Sequence, residues 1–447
     1  MVEGVRMIAE SQVADVMFTL RDCGLPVATG QDAHVERVLD TPISEQVFRH
    51  IQERAKGIGV SQEFKKILEA FPTRSGHTPA GFRRMLKFEG NELTVDLVRD
   101  ISCDVDSLKR PTKVLYSADS ANPYEVAPIA PFLSNLTCNP GIIYDLFLND
   151  PSANVGGKFK NRDEVIQELG DILGPGCDIS VELNNPFEMD YSRIIEEVER
   201  FKEILTPWRL VVKVPHTGPV NATNVEQLLM GDKRLSTPYG EGTTEDRLRG
   251  HNLALRLAQD GYKVNFTLMF EPYQTQMALQ ARPYFINSFI RHRKMQTERI
   301  YGLMRAFEAT GDRAFLKDLR SYMMEVDLLP DGAHSCDLMS VLDQATALLH
   351  VRGVNDSGAV GDGLDAVRHS LRALRNSHLP DTRLIICSME GDYNYPDIDR
   401  LVMEPEFADM AHRIIITAEP QYLARFTSAN QVVSYQRRFM NAAAGQK

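Results

Sequence analysis

No apolar run in the 447-residue sequence approaches the roughly 18 residues that a membrane-spanning helix needs. The six cysteines (Cys23, Cys103, Cys138, Cys177, Cys336, Cys387) are scattered, without a CxxC pair or a nearby histidine pattern. That spacing excludes a zinc ribbon and a disulfide scaffold. No Gly-rich phosphate loop follows an early strand, and no solenoid-type repeat is present. Nor is there an excess of basic residues: 50 Lys and Arg stand against 61 Asp and Glu, a formal net charge of −11. Nucleic acid and anionic membrane are therefore poor partners, although an acidic total leaves room for a local cationic pocket. Residues 1–12 mix Glu3, Arg6 and Glu10 with apolar residues and lack a signal-peptide core. What remains is the composition of an ordinary globular protein, 43% hydrophobic and 25% charged. The expectation is a reduced, cytoplasmic enzyme with a small-molecule substrate.

The chain changes texture near residue 110. Residues 1–108 read as a mostly helical extension packed on the main domain, with helical spacing over 45–56 and 61–71 and a Gly/Pro-rich loop over 71–81. From Lys113 onward, short apolar runs alternate with amphipathic stretches. The runs fall at 113–119, 135–139, 178–183, 209–215, 263–270, 284–289, 382–390 and 413–417, with helices such as 191–205 and 244–260 between them. Continuous apolar strands separated by helices indicate a parallel sheet covered by helices. Eight runs is the number a closed (β/α)8 TIM barrel needs, so residues 109–447 are expected to form one. The long spacer before the seventh run reads as a helical insertion at about 295–380, with helical stretches at 296–308, 314–324 and 340–349 and a Gly/Asp-rich loop at 353–363. An open doubly wound sheet is the alternative.

The chemistry-bearing residues sit inside or at the ends of these apolar strands. Lys213 interrupts Leu210-Val211-Val212-Lys213-Val214-Pro215. A buried ammonium requires a lowered pKa or a close carboxylate, and a neutral amine in a dry pocket is what attack on a ketone requires. A lysine snorkelling into solvent from a strand end is the bland reading. Asp119 and Glu182 end two other runs, Asn139 ends a third, and Asn265 and Thr267 share one face of a fourth by period-two alternation. Each alone is more often a turn or cap residue. In a barrel, however, all these strand ends converge on one mouth. One amine, two carboxylates and several amides gathered there fit covalent carbonyl chemistry with proton transfers.

The segments Ala118-Asp119-Ser120-Ala121-Asn122, Leu136-Thr137-Cys138-Asn139-Pro140-Gly141, Ile179-Ser180-Val181-Glu182, Val212-Lys213-Val214-Pro215-His216 and Val264-Asn265-Phe266-Thr267 resemble, in order, the transaldolase family. The resemblance implies a Schiff-base aldol mechanism with no metal or organic cofactor. Lys213 corresponds to the family's Schiff-base lysine and Asp119 to its acid/base carboxylate. Glu182 and Thr267 correspond to the residues that hold the catalytic water, and Asn139 and Asn265 to positions that bind substrate hydroxyls, with Thr137 beside them. The implied reaction moves a dihydroxyacetone unit from a ketose to an aldehyde, and the implied partner is a sugar or sugar phosphate. Relatives that assemble as dimers or rings make a homo-oligomer the matching expectation. A class I aldolase releasing free dihydroxyacetone, and a silent barrel serving as a binding module, are the alternatives.

The sequence departs from that pattern where the family binds phosphate. Its Ile-Ser-Pro-Phe segment is here Ile286-Asn287-Ser288-Phe289, and the following arginine position falls at His292, flanked by Arg291 and Arg293. Asn287, Ser288, Arg291 and His292 are thus the candidate substrate contacts on this strand. On the next, Ile386-Cys387-Ser388-Met389-Glu390 offers Ser388, with Glu390 where a phosphate-binding arginine is expected. A carboxylate there repels a phosphate, which points to a substrate whose far end is not an ordinary phosphate. His216 is either a further substrate contact or a loop histidine bonded to backbone.

Overall fold

The computed structural model describes residues 17–231, 233–237, 239–354, 364–389 and 394–445. They fall into two compact units, Met1–Arg110 and Pro111–Lys447.

In the first unit, β1 (Met17–Thr19) and β2 (Pro42–Ser44) form an antiparallel pair. Helices Glu45–Arg54 and Gln62–Ala70 stand where helical spacing places them. Each opens on a serine that caps a free backbone N–H, Ser44 accepting from Val47 and Ser61 from Phe64. The expectation of a mostly helical segment gives way elsewhere. Strands β3 (Gly57–Val60), β4 (Phe82–Glu89) and β5 (Glu92–Arg99) make a three-stranded sheet in the order β3-β5-β4. β4 and β5 are a hairpin in which Glu89 pairs with Glu92 across Gly90 and Asn91. Gly90 adopts φ 64°, the left-handed region that such a tight turn requires and glycine enters without strain.

In the second unit, eight parallel strands close into a barrel. They are β6 (Leu115–Asp119), β7 (Leu133–Cys138), β8 (Asp178–Glu182), β9 (Leu210–Pro215), β10 (Val264–Thr267), β11 (Phe285–Phe289), β12 (Arg383–Cys387) and β13 (Ile414–Ala418). They neighbour one another in chain order, and β13 returns to pair with β6. Each lies within a few residues of an apolar run read from sequence. Alternation sorts the side chains: Leu136, Ile179, Val181, Val212, Val214, Phe266, Ile286 and Ile386 join the core shared with the surrounding helices. Residues of the opposite parity face the barrel axis.

Between β11 and β12 lie helices Arg291–Thr310, Ala314–Glu325, Leu338–Val351 and Asp365–Arg375. The first three share a separate buried cluster built on Ile300, Leu316, Leu319, Met323 and Val341. This is the helical insertion in structural form. Its Gly/Asp-rich loop lies, from residue 355 to 363, outside the described residues. Among the described residues no helix is long and apolar enough to cross a membrane.

Candidate active site

The axis-facing positions become polar toward the C-terminal ends of the strands. Deepest is a chain of buried hydrogen bonds. Thr417 Oγ1 donates to Ser117 Oγ at 3.1 Å, Asn135 Nδ2 donates to the same oxygen at 2.9 Å, and Ser180 Oγ donates to Asn135 Oδ1 at 3.2 Å. Sequence reading missed these four residues. The signal was available in the polar residues at odd or even parity inside otherwise apolar strands. Each member is satisfied by its neighbours, which is the condition for a polar group to stay in a barrel core.

Above this layer stands Lys213, only 6% exposed. Its backbone is in register with Glu182 on one side and Asn265 on the other. Lys213 Nζ lies 3.2 Å from Glu182 Oε2. Burial is the largest single influence on the amine and pushes its pKa down. The charges of Glu182 and then Asp119 outweigh it, so the net direction is upward. The lysine is therefore relieved by a close carboxylate and not by losing its proton.

Asp119, at the end of β6, accepts a hydrogen bond from Thr137 Oγ1 at 2.8 Å across the β6–β7 pair. Thr137 thus orients a carboxylate that faces the lysine. On β10, Asn265 and Thr267 are completely buried. Asn287 Nδ2 donates to Asn265 Oδ1 and, at 3.2 Å, to the Phe266 carbonyl. Among the described residues, Asn265 Nδ2 and Thr267 Oγ1 have no protein partner. Unsatisfied buried polar atoms are rare and call for water or ligand, and here both sit on strand β10, next to the lysine strand.

Other candidates are placed differently. Asn139 lies just past β7 and its Oδ1 accepts from the Ile142 N–H at 2.9 Å, capping the helical turn Gly141–Leu148. Ser288 has the parity of Ile286 and so faces the helices, away from Asn287. Ser388 follows β12 with φ 53°, and its carbonyl accepts from the Arg291 N–H at 3.1 Å. Arg291 and His292 are exposed at the start of helix Arg291–Thr310. Arg293 is buried between Glu271 and Asp365, so it is not a spare anion clamp. Glu390 lies outside the described residues. His216 packs against Phe266 at 4.2 Å between ring centroids, the two planes tilted by 35°, on the helix side of β10. Burial, with the nearby His251, pushes its pKa down to about 4, so it is neutral at physiological pH. It packs there against Phe266.

Residues 116–312, from β6 into helix Arg291–Thr310, match the family described as transaldolase/fructose-6-phosphate aldolase. The match covers the five strands that carry the amine, both carboxylates and the paired amides, and it is a match to aldolase/transaldolase-type enzymes. No curated protein matches the chain.

Proposed function

We propose that the protein moves a dihydroxyacetone unit from a ketose to an aldehyde acceptor through a Schiff base on Lys213. The observation that carries this reading is the buried Lys213–Glu182 pair at 3.2 Å, with Asp119 as the second carboxylate acting on the same amine. The family match over residues 116–312 is the independent support.

The chemistry follows from the proton inventory. Glu182 takes a proton from the Lys213 ammonium, and the free amine adds to the ketose C2 carbonyl. The carbinolamine loses water, with the proton returned by Glu182, to leave a protonated imine. Asp119, held by Thr137, removes the proton from the C4 hydroxyl. The C3–C4 bond breaks, its electron pair flows into the imine to give an enamine, and the aldehyde product departs. Addition of the enamine to a second aldehyde, reprotonation of the new alkoxide by Asp119, and hydrolysis of the imine complete the cycle. Thr267 Oγ1 and Asn265 Nδ2, both without a partner among the described residues, are suited to hold the water and a substrate hydroxyl.

A class I aldolase that releases dihydroxyacetone to water needs the same residues and differs only in the acceptor. Borohydride reduction in the presence of dihydroxyacetone or fructose, followed by peptide mapping, tests the core of the proposal. An adduct on Lys213 that is absent from Lys213→Met is the expected result. An adduct on another lysine sinks it. Dependence of turnover on added aldehyde then separates transferase from aldolase.

A further inference from the structure

Beyond the amides of β10 and β11, the rim of the mouth carries a cluster of aromatic rings. Phe289 is the last residue of β11 and shares the parity of Asn287, so it faces the axis about 7 Å further toward the rim, two strand residues on. Across from it, β10 does not simply end. Leu268, immediately after Thr267, adopts φ 62°, a conformation in which a side chain with a Cβ is strained. Gln274 holds this turn. Its Oε1 accepts from the N–H groups of Phe270 at 2.7 Å and Glu271 at 2.8 Å, and its Nε2 donates to the Leu268 carbonyl at 3.3 Å. The Phe289 N–H donates to the Met269 carbonyl at 3.0 Å and ties the turn to β11. The result is that Phe270 lies against Phe289 with ring centroids 4.8 Å apart, and His292 meets Phe270 edge-on at 5.3 Å. Both phenylalanines remain partly exposed and His292 is exposed.

The cations of this region are occupied elsewhere. Arg293, with its side chain 5% exposed, pairs with Glu271 and Asp365. Lys294, 4% exposed, lies 3.5 Å from Asp397. Arg352 is buried against Gln296 and Thr297. Arg291, at the surface, is not free either. A phosphate drawn out of water onto this wall would meet aromatic rings with Arg293, Lys294 and Arg352 already committed to other partners, whereas an apolar group would leave water for surfaces that match it.

We propose that Phe270, Phe289 and His292 form a subsite for the far end of the carbonyl substrate, and that this end carries an aryl or branched-alkyl group in place of a phosphate. The proposal rests on the reading of the mouth as a carbonyl-binding site. Lys213 and Asn265, in register on β9 and β10, engage the reacting end, and the rings grip the other.

Two unreactive diols that differ only at the far end provide the test: 3-phenylpropane-1,2-diol and glycerol 3-phosphate. Their binding to the full chain is measured by titration calorimetry, for the native protein, Phe289→Ala, Phe289→Leu and His292→Ala. The phenyl diol is expected to bind at least tenfold more tightly than the phosphate. Phe289→Ala is expected to weaken it at least tenfold and Phe289→Leu less. Exposed His292→Ala, which carries little folding risk, is expected to weaken it severalfold at an unchanged melting temperature. Equal or tighter binding of glycerol 3-phosphate, failure of both ligands to bind, or phenyl-diol binding indifferent to every substitution would overturn the subsite. Borohydride trapping with dihydroxyacetone on the same samples reads the Lys213 chemistry separately. Selective phenyl-diol binding without an adduct supports the subsite and removes the Schiff base. An adduct without that selectivity does the reverse.

Discussion

Lys213 Nζ and Glu182 Oε2 stand 3.2 Å apart on adjacent, in-register strands, both screened from solvent. On the proposed mechanism this pair exchanges a proton. Burial disfavours the ammonium, Glu182 and Asp119 restore it, and a change in either carboxylate therefore resets how readily the amine is freed.

Glu182→Gln isolates that relationship. With one carboxylate removed, burial is opposed mainly by Asp119, so the amine holds its proton less tightly than in the native protein. The pH at which borohydride-trapped adduct reaches half its maximum should move down by at least about one unit, equivalent to ~1.4 kcal/mol. Turnover should nevertheless fall on the order of 10²-fold, because the group that accepts and returns the proton in the proposed mechanism is gone. Trapping and steady-state rates measured across the same pH series check both parts. An unmoved onset of trapping would separate Glu182 from the amine.

The barrel was legible because its strands are buried on both faces and so appear as continuous apolar runs, a pattern that turns and helices seldom imitate. The polar residues at their ends were legible for the same reason: Lys213 or Glu182 stands out only against Val211, Val212, Ile179 and Val181. Parity, which needs the true strand limits, was harder to read. Ser288 and Asn287 are neighbours in sequence yet face opposite sides of β11. Contacts between distant segments were out of reach, as with Arg293, whose partner Asp365 lies 72 residues later. The β4–β5 hairpin was missed although Gly90-Asn91 between alternating residues is a recognised turn signal. Helical spacing upstream had drawn the whole segment into one class.

His216 makes a pH prediction with a definite sign. Its pKa in the folded protein is about 4, against an ordinary value of 6.5. Between those values the unfolded chain binds the proton that the folded chain refuses, so folding stability rises with pH across this window and is lost as pH falls through it. The ceiling on that loss, from the size of the shift, is about 3 kcal/mol. In His216→Phe the ring contact with Phe266 is retained and the titrating group removed. Urea unfolding at pH 7 and at pH 4.5 should show a smaller drop for the variant by roughly 1–3 kcal/mol. Equal drops would place the acid sensitivity elsewhere.

Gly250 tests whether the lysine strand depends on the helix behind it. Helix Thr244–Gln259 crosses the end of β9 so closely that a Cβ on Gly250 would lie 2.2 Å from the Pro215 carbonyl oxygen and 3.3 Å from the His216 Cα. Both obstacles are backbone, so no side chain can swing aside. Gly250→Ala must lift the helix or displace the strand end two residues from Lys213, which should cost on the order of 1–3 kcal/mol. Gly302 is the matched control, since it also lies within a helix and a Cβ there meets nothing within 4 Å. Gly302→Ala should gain about 0.5–1 kcal/mol from helix propensity alone. Denaturant unfolding ranks the two against the native protein, and the rate of dihydroxyacetone trapping at saturation reports on the lysine. Because only Gly250→Ala disturbs β9, it alone should slow trapping. If it trapped at the native rate despite its lost stability, Lys213 would be held by the barrel independently of this crossing.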